Sequence, residues 1–412
     1  MPQTNVKATT ELAIKLDDGL ISYCPGDTVI GRVVREVHTV STQAWVTIRL
    51  YGRAKSKLTE SYSNGKSLTI LEYRGRFNFF TPIETCQKIF DGPVHIPPDS
   101  DAQAWPFALI IPTRPSPSSV MAGNRQDQSY LPLNEEAIAA STLPSSFAFT
   151  NTSWGPQFHG FVEYYLEAEF RQENRSHLST ATLPVVIRAA SAPYPFKTFD
   201  LQTRTYPGSI KSQRLIHGME NAELSFGQRM QKFWGSSKVP RFGFSVLVDY
   251  PSVIQLRNPI PIPFKIRIIP SRERTTDIVV DVRQTVVLTS LNMELHATTS
   301  IKCGVSKTAN GTHKHHFADK GTVLGLQSPI TLPSDPDAEA LDVGAFLALS
   351  LHPQHAYARG KPLHRFGPIS PSFITYNIKH SHELRWELTL EVAGESITII
   401  GQQPVFVLAA SS

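Results

Sequence analysis

The chain has 412 residues, 41% of them hydrophobic, with 40 Lys and Arg against 35 Asp and Glu, a net charge of +5 and a sequence pI near 9.0. Mean hydropathy is slightly negative, and no run reaches the ~18 apolar residues of a membrane-spanning helix, so a soluble chain is expected. So mild a basic surplus, without a dense Lys/Arg stripe and interleaved aromatics, argues against a nucleic-acid partner while permitting attraction to an anionic membrane surface.

At roughly 100–200 residues per domain, two domains are expected. The N-terminus, Met1-Pro2-Gln3-Thr4-Asn5-Val6-Lys7, has no apolar stretch of signal-peptide length, so a cytoplasmic chain is the default. Cys24, Cys86 and Cys303 are odd in number and far apart, which indicates neither a disulfide framework nor a zinc site. Without a secretion signal, the N-x-[ST] triplets at Asn151, Asn174 and Asn310 read as chance matches.

In chain order, Pro25-Gly26-Asp27 reads as a turn into a strand, Thr28–Val34. Val46, Ile48 and Leu50 alternate with polar residues, as in a half-buried strand. Asn64-Gly65 predicts a hairpin turn. Residues 112–158, rich in Pro, Ser, Asn and Gln, read as a long, partly disordered insertion. Phe161–Phe170 alternates cleanly, with Val162, Tyr164, Leu166, Ala168 and Phe170 inward and Glu163, Tyr165, Glu167 and Glu169 on a wet face. Residues 191–240 carry Pro193, Pro195, Pro207 and Gly208 and read as a linker. Within it Met219, Ala222, Phe226, Met230 and Phe233 recur at helical spacing, predicting a short helix over Met219–Trp234 that Gly235 ends.

Phe264, Ile266 and Ile268 resume the alternation. Residues 304–321 read as a polar hairpin tip or loop, with a turn at Asn310-Gly311. Leu384–Val392 is the second clear strand, with Leu384, Trp386, Leu388, Leu390 and Val392 inward. This period of two, punctuated by prolines, predicts an all-β chain of antiparallel sandwiches. The expected organisation is a sandwich over 1–198, a linker with one short helix over 199–239, and a second sandwich over 240–412.

Catalytic signals are thin. The chain has no G-x-S-x-G elbow, no P-loop and no G-x-G-x-x-G after a strand. His382-Glu383 begins like a zinc-protease motif, but Trp386 stands where the second His belongs. His313, His315 and His316 form the one dense histidine cluster, and a metal there would need a third ligand such as Asp319. Solvated histidines are the plainer reading, as are surface or half-buried strand positions for His352/His355 and His380/His382. Glu167 and Glu169 share one face and read as a solubilising pair. Neither enzyme activity, nor a metal, nor a cofactor is expected.

Certain motifs resemble a known family. Tyr23-Cys24-Pro25-Gly26-Asp27-Thr28-Val29-Ile30-Gly31 resembles the Y-x-P-G-D-x-V-x-G signature of arrestin N-domains, and Val46–Gly52 their following V-x-I-x-L-x-G strand. Trp105–Pro112 is similar to the P-F-x-x-x-x-P stretch, and Leu143-Pro144-Ser145-Ser146-Phe147 to the later L-P-x-S-F, with about 30 residues inserted between these two elements. Asn258–Phe264, Ser370–Tyr376 and Gln403–Leu408 resemble the entry and closing strands of an arrestin C-domain. The likeness is greatest to α-arrestins of the fungal kind. It implies two tandem arrestin-like, immunoglobulin-like sandwiches and a cytoplasmic adaptor peripheral to the plasma membrane or endosomes.

Family members bind transporters or receptors as cargo. Many recruit a HECT-type ubiquitin ligase, whose WW domains bind PPxY motifs, and so promote endocytosis. No PPxY occurs here: Pro97-Pro98-Asp99-Ser100 has Ser in place of Tyr. A coat-like trafficking scaffold without a ligase is the alternative, and a small-ligand or carbohydrate-binding sandwich is a third reading. Arg204, Lys211 and Arg214 supply positive charge in the expected linker and are candidates for anionic lipid. The segments 112–158 and 304–321 are candidates for cargo or lipid contact.

Overall fold

The computed structural model describes the chain except residues 1–2, 18, 64–66, 99–100, 153–156, 174, 189–192, 221, 224–238, 319–328, 336–337, 364–367 and 411–412. It divides into two compact units. The first comprises Met1–Ala190 with Thr298–Gly311 and Phe373–His380, and the second Ser191–Ala297, Thr312–Ser372 and Ser381–Ser412.

The first unit holds β1 (Ala13–Leu16), β2 (Thr28–Arg35), β3 (Thr39–Ser63), β4 (Leu68–Asn78), β5 (Cys86–Ile96), β6 (Gln103–Ile110), β7 (Phe147–Asn151), β8 (Gln157–Gln172) and β9 (Ser179–Val185). One sheet runs β1-β2-β6, and the other runs β4-β3-β8-β7, with β5 on β3 and β9 on β8. All these pairings are antiparallel. Val46, Ile48 and Leu50 of β3 and Val162, Tyr164 and Leu166 of β8 share one buried core with Val29 and Val33 of β2 and Trp105 and Phe107 of β6. The expected turn stands at Pro25-Gly26, where Gly26 takes a φ of +95° that other residues rarely adopt.

β3 is 25 residues long because three partners use it in turn. β5 pairs from Thr39 to Arg49, β8 from Ala44 to Thr59, and β4 from Arg53 to Ser63. The β3–β4 hairpin pairs out to Ser63 and Leu68, and its expected Asn64-Gly65 turn lies outside the described residues.

The described residues of 112–158 differ from the expected long, partly disordered insertion. They form α1 (Pro117–Met121), α2 (Glu135–Ala140) and β7, anchored by buried Val120, Ile138, Leu143 and Phe147. The polar residues that read as disorder are caps and turns. Asn134 Oδ1 accepts the Ala137 N–H at 2.8 Å, and Ser141 Oγ donates to Ile138 O. Within this unit Tyr130 N–H donates to Tyr376 O at 2.6 Å and Lys302 Nζ to Ser129 O at 2.6 Å, which ties the segment down.

The second unit holds β10 (Leu201–Lys211), β11 (Arg241–Pro251), β12 (Val253–Gln255), β13 (Lys265–Pro270), β14 (Val286–Cys303), β15 (Lys307–Ala318) and the later strands Ile378–Val392 and Glu395–Leu408, with ends of β14, β15 and Ile378–Val392 counted in the first unit. Its core joins Phe244, Val246 and Val248 of β11 to Phe264, Ile266 and Ile268, and to Leu384, Trp386, Leu388 and Leu390. Trp386 packs its ring 5.1 Å from Tyr250 and 5.6 Å from Phe264.

Two further expectations are corrected. Residues 201–211 are not linker: they pair with β11 at every position from Leu201↔Pro251 to Lys211↔Arg241. β10 is the edge of its sheet, where Pro207 forfeits no ladder bond on the open side, and Gly208 leaves room for the Phe244 ring. Of residues 304–321, expected as a polar hairpin tip or loop, the described ones after Ser306 are strand. The turn is Gly304–Ser306, and Asn310-Gly311 lies inside β15, where Gly311 fits against Phe149 and Phe158. The helix expected over Met219–Trp234 falls, after its first residues, outside the described residues.

Candidate functional site: the outer face of the six-stranded sheet

The alternation that fills the core also writes the opposite face. Between the inward residues of β3 stand Arg49, Tyr51, Arg53, Lys55 and Lys57. The β8 register sets Glu167, Tyr165, Glu163, Phe161 and His159 opposite them in turn. On the other side, β4 sets Asn78, Arg76 and Arg74 opposite Arg53, Lys55 and Lys57. Directly opposed residues of an antiparallel pair share a face. A basic field with an aromatic strip therefore covers this side of the sheet.

At its centre lies Glu163, whose side chain is only 7% exposed. Arg53 Nε donates to Glu163 Oε1 at 2.6 Å, while Lys55 Nζ stands 3.8 Å from the same oxygen, beyond hydrogen-bond reach. Glu163 Oε2 accepts the Thr4 N–H at 2.7 Å, and Arg53 Nη2 donates to Thr4 Oγ1. The Arg53 guanidinium lies over the Tyr165 ring and the Lys55 ammonium over Phe161. Two largely buried cations thus share one carboxylate. Burial first, then Arg53, push the Lys55 ammonium down to about 8, against the pull of Glu163.

The flanks are balanced differently. Burial opposes the Arg49 charge, but Glu169, at 3.0 Å, more than restores it and raises its pKa. Lys57 and Arg74 both bind Glu72 and hold its carboxyl down to about 2. Tyr51 and Tyr165 stack at 4.9 Å, and burial followed by Glu167 pushes the Tyr51 hydroxyl up to about 12.

An opening borders this cluster. β7 pairs with β8 up to Val162 and β9 from Tyr164 onward, so Glu163 sits at the break. A cavity of about 290 Å³ lies there, lined by Thr4, Phe147, Glu163 and Val185 among others. A second, of about 210 Å³, adjoins His159 and Phe161. The N-terminal segment runs beside them, with Lys7 bridging Thr182 through two backbone hydrogen bonds. A surplus cation on a half-dry surface beside open strand edges suits an extended acidic segment.

The residues singled out from sequence are placed elsewhere. Arg204 and Lys211 are exposed on β10, seven residues apart, hence on opposite faces and separated by roughly 23 Å. Arg214, in the turn Gln213–Leu215, is half-buried, and its Nε donates to Ala222 O. The three do not converge on one patch.

His315 is buried within β15, and burial followed by His313 and His296 pushes it down to about 4. His316 faces Glu294, to which His296 is bonded at 2.7 Å. Asp319 lies outside the described residues, and among those described no three His, Cys, Asp or Glu side chains are arranged to hold a metal. His380 and His382, expected at surface or half-buried strand positions, are strand residues that are buried and bonded to Thr299 and Ser372. Sequence reasoning passed over the Arg53–Lys55–Glu163 cluster, although a cation at Arg49, Arg53, Lys55 and Lys57 was a visible signal.

Two antiparallel sheets around one core make the first unit a β-sandwich. Residues 12–191 match the family described as arrestin (or S-antigen), N-terminal domain, so an arrestin N-terminal domain is present in this chain. Arrestin domains are non-catalytic adaptors. A search of curated proteins gives no match. No helix among the described residues is long and apolar enough to cross a membrane.

Proposed function

We propose that this protein is a non-enzymatic adaptor of the α-arrestin kind that binds membrane-protein cargo from the cytoplasmic side, at the plasma membrane or endosomes. The second unit, with two large sheets and a small three-stranded one around its own core, is then the second arrestin-like sandwich. The observation that carries the reading is the Arg53–Lys55–Glu163 cluster on the outer face of an arrestin N-terminal domain. Lys55, with half a partner, is set to receive an acidic side chain or phosphate on the cytosolic segment of a transporter or receptor. Ubiquitin-linked endocytosis or sorting of that cargo is the expected outcome. It requires a ligase contact other than a PPxY motif within these residues.

Proximity labelling in the native cell tests this reading. Enrichment of plasma-membrane transporters together with a HECT-type ligase is the expected result. Recovery of endosomal coat subunits alone would replace it with a coat-like scaffold. In detergent, Lys55→Gln should weaken capture of a purified cargo segment.

A further inference from the structure

Toward its distal end the β3–β4 hairpin exposes four large apolar side chains. Leu68 is 64% exposed, Ile70 56%, Tyr62 52% and Leu71 41%. β4 is also the edge strand of its sheet. A bare apolar edge is a liability that folded proteins ordinarily cover or charge. Leu68 and Ile70 lie on the same face as the basic field, since Ser63↔Leu68 and Ser61↔Ile70 continue the register of Lys57↔Arg74 and Lys55↔Arg76. Along this face an apolar end gives way to cations, with Glu72 already shared by Lys57 and Arg74.

We propose that this hairpin is a membrane contact: Leu68 and Ile70 enter the headgroup boundary of an anionic bilayer while Lys57, Arg74 and Arg76 meet its phosphates. The spacing fits. Rows on one face of a strand recur about every 7 Å, so Arg74 stands two rows, roughly 13 Å, behind Ile70. Interfacial apolar groups sink about 5–10 Å, which leaves Arg74 at headgroup level and Arg76 one row further back, within the ~8–10 Å reach of the surface potential. Lys57, Arg74 and Arg76 against Glu72 leave a net charge of +2 facing the lipid. The three basic residues of the second unit offer no such row, since Arg204 and Lys211 face opposite ways. A bilayer rather than a protein groove is favoured because the apolar end and the cations are stacked in one line away from the tip.

Flotation of the full chain with vesicles of phosphatidylcholine, and of equimolar phosphatidylcholine and phosphatidylserine, tests this. Binding is expected to the anionic vesicles and to fade at high salt. Arg74→Gln and Arg76→Gln should each weaken it about fivefold, and the pair Leu68→Ser with Ile70→Ser by about tenfold or more. Arg204→Gln should leave it unchanged. All these side chains are exposed, so an unaltered melting temperature shows that the fold is kept. Ile70→Trp gives a second readout, a blue-shifted emission on anionic vesicles.

Absent binding, or binding indifferent to both the serine and the glutamine variants, overturns the proposal and leaves the hairpin as a protein-docking surface. The vesicles carry no protein, so that failure leaves the cargo reading standing, and cargo capture in detergent fails or succeeds independently.

Discussion

Lys55→Met puts the central cluster to a quantitative test. The Lys55 side chain is only 10% exposed and its nearest carboxylate oxygen is 3.8 Å away. Burial and Arg53 push it down to about 8, against 10.5 for an unperturbed lysine. Below pH 8 the amine is charged in both folded and unfolded chains, and the folded state carries the full cost of holding that charge. The interval corresponds to about 3 kcal/mol. Between pH 8 and 10.5 the unfolded chain keeps the proton longer than the folded one, so native stability rises with pH across that window. Methionine fills a similar stem without the charge. Lys55→Met should therefore be more stable than the native protein at pH 7, by up to about 3 kcal/mol, and the gain should close as pH approaches 10.5. Urea unfolding at pH 7 and at pH 10 measures both values. An equal difference at the two pH values, or a less stable variant at pH 7, would refute the reasoning. Cargo binding that raises the Lys55 pKa should in turn take up a proton near pH 9, visible as buffer-dependent heat in calorimetry.

Glu163→Gln removes the carboxylate that both buried cations share and should cost about 3–5 kcal/mol in urea unfolding. His315, held near 4 inside β15, is neutral in the fold while the unfolded chain protonates from 6.5 downward. Native stability should fall by about 3 kcal/mol as pH drops from 6.5 to 4, and His315→Asn should remove that component of an acid titration. Gly401→Ala would set a methyl 2.2 Å from the Trp386 ring, and overpacking should cost about 1–3 kcal/mol with a change in Trp386 fluorescence.

Sequence pattern served the core well and the outer face poorly, for one physical reason. Inward positions such as Val162, Tyr164 and Leu166 are chosen by burial alone, and burial leaves a period that needs no partner to be read. Residues between them read as wet. Yet Glu163 and Tyr165 are 7% and 6% exposed, because Arg53 and Thr4 close over them from elements far apart in sequence. The edge strand β10 was hidden by Pro207 and Gly208, whose usual meaning as breakers holds for inner strands only. The ordering of residues 112–158 was hidden because capping residues such as Asn134 share the composition of disordered segments. The cations of β3 were in plain view, but nothing in a single sequence told that β4 and β8 would bring Arg76 and Glu163 beside them.

The length of β3 has a consequence for how such a chain can change. Core and basic field are the even and odd readings of one strand that is locked to β5, β8 and β4 along its course. Adding one residue between Leu50 and Lys57 would turn the cations inward and the apolar side chains outward over everything beyond it. Insertions of two residues would only lengthen the hairpin and carry its apolar end further out. Lineages of this domain should therefore vary the reach of the β3–β4 hairpin in even steps, while the charge on its face is free to drift one substitution at a time.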